Sequence, residues 1–172
     1  LPHVKNSDLF TVWELLNKFN LATPNIGLIS DTICCPGMDY CALATARSIP
    51  ISQKISEKYD EFSSQNKIGN IKIKISGCIN ACGHHHVGNI GILGLDRNGQ
   101  ESYQITLGGS ADENASIGQI LGPSFQEEKL MQAIEKILLV YRKNKKTEKE
   151  DFLSVFNRIG ITPFKESVYD NS

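Results

Sequence analysis

"IKIKISGCINACG" spans Ile71 to Gly83, and its two halves ask for different structure. In the first half Ile71, Ile73 and Ile75 alternate with Lys72, Lys74 and Ser76, the period-two pattern of a strand with one face on a core and the other toward water or a partner. In the second half Gly77 ends the strand, and Cys78 and Cys82 follow four residues apart. Taken as a helical turn, that spacing brings both thiolates to one side, where they reach a single metal centre. A strand that delivers cysteines at its end predicts a sheet whose end loops carry the chemistry.

Working outward, "NIGILGL" and "SYQITL" flank "DRNGQE", and Asn98-Gly99 supplies residues that tolerate positive φ in a tight turn. A β-hairpin over about Asn89 to Leu107 follows. Upstream, "NIGLIS" at Asn25 to Ser30 is a short apolar run that reads as a buried strand leading to "CCPGMDYC" at Cys34 to Cys41. Helix formers from Tyr40 to Ala46 predict one helix, and Ile51, Ile55, Tyr59 and Phe62 beyond Pro50 predict a second. Leu9, Val12, Trp13, Leu16 and Phe19 recur at helical spacing over about Asp8 to Asn20, with Trp13 read as packing.

Beyond a Gly/Ser/Asp-rich loop from Gly108 to Pro123, Leu130, Ile134, Ile137, Leu138 and Tyr141 trace one helix face. "RKNKKTEKED" reads as a charged linker, and a last helix around Asp151 to Arg158 turns Phe152, Val155 and Phe156 inward before Gly160. The class is α+β, a mixed or antiparallel sheet with flanking helices. The organisation expected is a leading helix and strand over residues 1–30, a cofactor-binding domain over 31–142, and a charged linker with a C-terminal helix over 143–172.

Composition excludes several classes. The chain has 172 residues, a formal net charge of -1 and 40% hydrophobic residues, so it is globular and has no global electrostatic drive toward nucleic acid or an anionic membrane. No apolar run reaches a membrane span and "LPHVKNSD" lacks a signal-peptide core, so a cytoplasmic protein is expected. Its start at Leu1 suggests a piece of a longer polypeptide. No G-x-G-x-x-G motif, P-loop, serine–histidine nucleophile or paired catalytic carboxylate is found, so no catalytic residue is assigned to the chain.

Five cysteines in two clusters point to metal or redox chemistry before a disulfide framework. Cys35 and Cys41 enclose Pro36 and Gly37 in a loop suited to a bulky cluster, and with Cys78 and Cys82 they supply four thiolates. A structural zinc site is the competing reading, although zinc favours shorter intervals than that between Cys35 and Cys41.

The stretches Cys35 to Cys41, C-x5-C, and Gly77 to Gly83, containing C-x3-C, resemble the sirohaem-dependent nitrite and sulfite reductases. "CALATARSIP", "HVGNIGILG" and "YQITLGG" are similar to family sequence around that motif. The resemblance covers nearly the whole chain. It implies the family's 4Fe-4S domain fold and one 4Fe-4S cluster on Cys35, Cys41, Cys78 and Cys82, with Cys82 also the axial ligand of a sirohaem iron. It further implies an oxidoreductase that reduces sulfite to sulfide or nitrite to ammonia with electrons from ferredoxin or an NADPH-dependent flavoprotein. In that family the basic residues that hold the substrate anion come mainly from an N-terminal half not included in this chain, which would then be a fragment of the full enzyme. A zinc-binding structural module and an iron–sulfur electron carrier without haem stay open beside it.

Around the cysteines, Gly77 and Gly83 would let the backbone approach the macrocycle and turn N–H groups toward cluster sulfurs, and Asn80 is a candidate either for a hydrogen bond to the cluster or sirohaem or for simple turn formation. Cys34 reads as a buried structural thiol. His84, His85 and His86 point in different directions, so hydrogen bonding near the cofactor or packing is expected of them before joint metal ligation. Arg47 is set between a cofactor carboxylate and the surface, and the Lys136–Lys149 run between an acidic donor and a solvated face.

Overall fold

Ile33–Cys34 (β1), Ile73–Ser76 (β2), Ile90–Arg97 (β3), Gln100–Leu107 (β4) and Gln119–Ile120 (β5) form one five-stranded sheet in that order. They are seen in a computed structural model that describes residues 2–59 and 67–170. β1, β2 and β3 run parallel, while β3, β4 and β5 are antiparallel, so the sheet is mixed. Helices Leu9–Lys18 (α1), Ile49–Lys58 (α2), Glu127–Asn144 (α3), Phe152–Ile159 (α4) and Thr162–Tyr169 (α5) flank it. This is the expected α+β class.

The second part of the alternating stretch forms β2, and Ile71 just before it, Ile73 and Ile75 are at most 1% exposed. Its parallel neighbours fix its register: Ile75 pairs with Cys34 on one side and Ile92 on the other. The β3–β4 hairpin closes at Asn98 (φ 58°) and Gly99 (φ 79°), where the Gly99 N–H donates to Asp96 Oδ1 at 2.7 Å. Both turn residues occupy the left-handed region, which Asn and Gly enter at least cost.

The core is continuous from sheet to C-terminus. Ile73, Ile90, Ile92, Ile105 and Leu107 meet Leu130, Ile134, Ile137 and Tyr141 of α3. Phe152 of α4 lies 5.4 Å from the Tyr141 ring and 5.9 Å from Phe164 of α5, centroid to centroid.

Four expectations fail locally. Asn25 to Ser30 forms turns, because Gly27 sits at φ 74° and the Leu28 N–H folds back onto the Asn25 carbonyl; the strand is the shorter β1. Residues 40–46 form no helix, since the Thr45 and Ala46 N–H groups are diverted to the Gly77 carbonyl at 2.9 and 3.0 Å. The chain does not stop at α4, because Ile161 starts α5 with Pro163 in its first turn. Trp13 is 50% exposed and α1 buries none of its residues, so its stripe is not core. Of the α2 stripe, Phe62 lies outside the described residues. Among the described residues no helix is long and apolar enough to cross a membrane.

Candidate functional site

Parallel pairing of β1 with β2 brings the two cysteine clusters to the same end of the sheet. The Cys35 N–H extends the ladder by donating to the Ile75 carbonyl at 3.1 Å, which sets Cys35 beside the exit of β2, where Cys78 follows. Gly77 then ties the loops together. Its N–H donates to Cys35 Sγ at 3.1 Å, and its carbonyl accepts from Thr45 Oγ1 at 3.1 Å in addition to the two backbone N–H groups. A Cβ at Gly77 would lie 2.6 Å from the Ala46 carbonyl oxygen and 3.0 Å from Gly37 Cα, so only glycine lets the loops approach this closely.

Cys78 and Cys82 are not on a helical turn, contrary to the spacing argument. The Ala81 N–H donates to the Cys78 carbonyl at 3.1 Å, Ala81 stands at φ 56°, and the His84 N–H donates to the Ala81 carbonyl at 2.7 Å, which makes two consecutive tight turns. The Gly83 N–H anchors them by donating to Ser76 Oγ at 3.1 Å. The missing Gly83 side chain faces the protein, with the Ile75 carbonyl oxygen 1.8 Å from where a Cβ would stand, so that glycine serves the turn's packing on β2. Cys35 and Cys78 are buried, Cys41 is half-buried and Cys82 is exposed.

Adjacent Cys34 and Cys35 differ electrostatically. Burial pushes the Cys34 thiol up, with help from neighbouring Cys35 and only partial opposition from the Ser52 hydroxyl. Burial also acts to raise Cys35, but the Ser48 hydroxyl and the backbone N–H groups of Gly77 and Gly37 outweigh it and hold the thiol below its ordinary value. Cys34 is half-buried rather than fully buried. Among the described residues no group of three or more His, Cys, Asp or Glu is placed to hold a single metal ion. Two thiol-bearing loops knitted backbone to backbone, with an N–H aimed at one sulfur, are compatible with thiolates that hold an iron–sulfur cluster.

The other candidates are also placed. Asn80 is exposed in the loop between Cys78 and Cys82. Arg47 is held by Asp39 of the first cysteine loop at 3.1 Å and by Glu101 of β4, and the Tyr103 hydroxyl donates to the Arg47 carbonyl at 3.0 Å. Its guanidinium therefore pins that loop to the sheet. His85 is 6% exposed, its Nε2 sits 3.3 Å from His86 Nδ1, and its own Nδ1 has no hydrogen-bond partner among the described residues. Burial, reinforced by His86, pushes its pKa down to about 4. His84 and His86 are exposed. One feature escaped the sequence reading: Met38, Tyr40, Leu43 and Ile79, all on the cysteine loops, are 40%, 81%, 73% and 80% exposed. Large apolar residues inside polar, cysteine-bearing loops were the available signal.

The family model described as the nitrite and sulphite reductase 4Fe-4S domain matches residues 28–172. The chain belongs to that family. Among its relatives, the sulfite reductase (NADPH) hemoprotein beta-component of Bacillus licheniformis is 29% identical over 152 residues, covering 86% of this chain and 26% of that protein. The chloroplastic ferredoxin–nitrite reductase of Spinacia oleracea is 25% identical over 146 residues, covering 81% of this chain and 24% of the other. The chain thus spans about a quarter of the length of these relatives. The solved structure of the Mycobacterium tuberculosis NirA protein superposes with a TM-score of 0.73 at 20% identity, covering 94% of this chain and 31% of that one, and shows the shared fold.

Proposed function

We propose that Cys35, Cys41, Cys78 and Cys82 hold a 4Fe-4S cluster, that Cys82 is shared with a sirohaem iron, and that the chain is the cofactor-bearing part of a sulfite or nitrite reductase. The observation that carries this reading is the Gly77 N–H donated to Cys35 Sγ at 3.1 Å. It joins the two cysteine loops through a bond that strengthens when the sulfur is a thiolate. Family membership over residues 28–172 supports the cluster.

Exposure supports the division of labour among the thiols. Buried Cys35 and Cys78 anchor the cluster on the protein side, whereas a sulfur that also reaches a second iron must stand at the surface, as Cys82 does. The apolar rim of Met38, Tyr40, Leu43 and Ile79 suits the face of a macrocycle, and a carrier without haem would leave it in water. A zinc module would use the same four cysteines, but structural zinc sites favour shorter intervals than the one between Cys35 and Cys41.

When bound, the two groups supply electron storage and a substrate-binding iron. The chain's residues would supply the rest: four thiolates, N–H donors that offset charge on Cys35, and in Cys82 a thiolate that would serve both groups. The proposed cofactor-binding unit is 31–142, led by 1–30 and followed by 143–172. Sulfite or nitrite, a ferredoxin or NADPH-flavoprotein donor, the basic substrate pocket in another half of the polypeptide, and a cytoplasmic setting belong to the same proposal.

The test is spectroscopic, on the full-length protein purified anaerobically. Sharp sirohaem bands over a broad cluster absorption are expected, with Cys82→Ala losing the sirohaem signal or its magnetic coupling to the cluster. Intact coupling in that variant contradicts the bridge, and a colourless zinc-loaded protein contradicts the cluster.

A further inference from the structure

Ser48 stands immediately before α2, where a serine hydroxyl ordinarily accepts an N–H from the first helical turn. It makes no such bond. Its hydroxyl instead donates to the Cys35 carbonyl at 2.6 Å and lies 3.5 Å from Cys35 Sγ. The residue is 0% exposed, so no bulk water competes for its proton. The hydroxyl that could cap α2 is turned onto a cysteine instead.

A hydroxyl carries one proton on a free rotor. Among the described residues, the carbonyl oxygen and the sulfur it reaches both belong to Cys35. As a ligand thiolate the sulfur carries negative charge that grows when the cluster is reduced, so a charge-assisted bond to sulfur then gains on the bond to the carbonyl. The first cysteine loop packs closely on Ser48, since a Cβ at Gly37 would lie only 2.4 Å from Ser48 Oγ. Gly77 already donates to the same sulfur.

We infer that Ser48 is a positioning residue whose hydroxyl turns toward Cys35 Sγ as charge builds on that sulfur, stabilising the reduced cluster and raising its reduction potential. The inference rests on the cluster reading above. Hydrogen bonds to ligand sulfurs are a recognised lever on iron–sulfur potentials, and this one comes from a side chain that can be removed without touching a ligand. Ser52, one turn further along α2 and bonded to the Thr32 hydroxyl, provides a control on the same helix.

The experiment is a potentiometric EPR titration of the anaerobically reconstituted protein in wild-type, Ser48→Ala, Ser48→Thr and Ser52→Ala forms, with thermal melts to verify folding. A shift to more negative potential in Ser48→Ala, return toward the wild-type value in Ser48→Thr, and no shift in Ser52→Ala are expected. Ser48→Gly, which helices accept at this position, provides the same comparison if alanine fails to fold. A wild-type potential in a folded, cluster-bearing variant without the hydroxyl overturns the inference and leaves the cluster reading standing. A wild-type protein that assembles no iron–sulfur cluster overturns both.

Discussion

Gly77 contributes to the site through what it lacks. Its N–H serves Cys35 and its carbonyl serves Thr45 and Ala46, and both need a backbone approach that a Cβ 2.6 Å from the Ala46 oxygen would block. Gly77→Ala should therefore cost about 1–3 kcal/mol by overpacking and lower iron uptake, read from a urea melt and the iron-to-protein ratio. The neighbouring cysteines give a sharper contrast. Cys34, half-buried with its thiol pushed up, should be replaceable by alanine with cluster retained and stability changed by about 1 kcal/mol or less. Cys35→Ala should lose the cluster, as iron analysis of both variants will show. The motif interval singles out Cys35 over Cys34, and the structure adds a difference that no local window contains: Ser48 and Gly77, 13 and 42 residues away, lie within hydrogen-bond distance of Cys35 Sγ.

Legibility at the level of elements followed how local each element's cause is. The β3–β4 hairpin and β2 were readable because alternation and Asn98-Gly99 act within a few residues. α4 was readable for the same reason: Asp151 accepts the Ser154 N–H at 2.7 Å and Gly160 ends the helix at φ 73°. Asp151→Ala should cost about 1 kcal/mol of stability, visible as a lowered melting temperature. Residues 40–46 misled because their helix propensity is overridden by the distant Gly77 carbonyl, a tertiary partner that no local window contains. The Cys78–Cys82 turn misled similarly, since the positive φ at Ala81 has no signature in an alanine. α1 showed the limit of periodicity, which predicts an amphipathic face but not what covers it: Phe10, Trp13 and Phe19 are 66%, 50% and 72% exposed.

Across the whole molecule, one core joins the sheet to α3, α4 and α5, so disturbances near the cysteines are read out as global stability. His85 makes that stability depend on pH. Its pKa is depressed from 6.5 to about 4, so between those values the unfolded chain binds more protons than the folded one. Stability is then full above about pH 6.5 and falls as the solution is acidified toward pH 4. About 2 kcal/mol should be lost from this group between pH 7 and pH 5, and urea melts of His85→Leu should show a correspondingly shallower dependence. An unchanged slope would place the acid sensitivity elsewhere.

Two loops at one end of the sheet are proposed to hold a single iron–sulfur cube. Iron and acid-labile sulfide counted per chain after anaerobic reconstitution test it most directly. About four of each are predicted for a 4Fe-4S site; bound zinc without sulfide, or a chain that takes up neither iron nor sulfide, would contradict it.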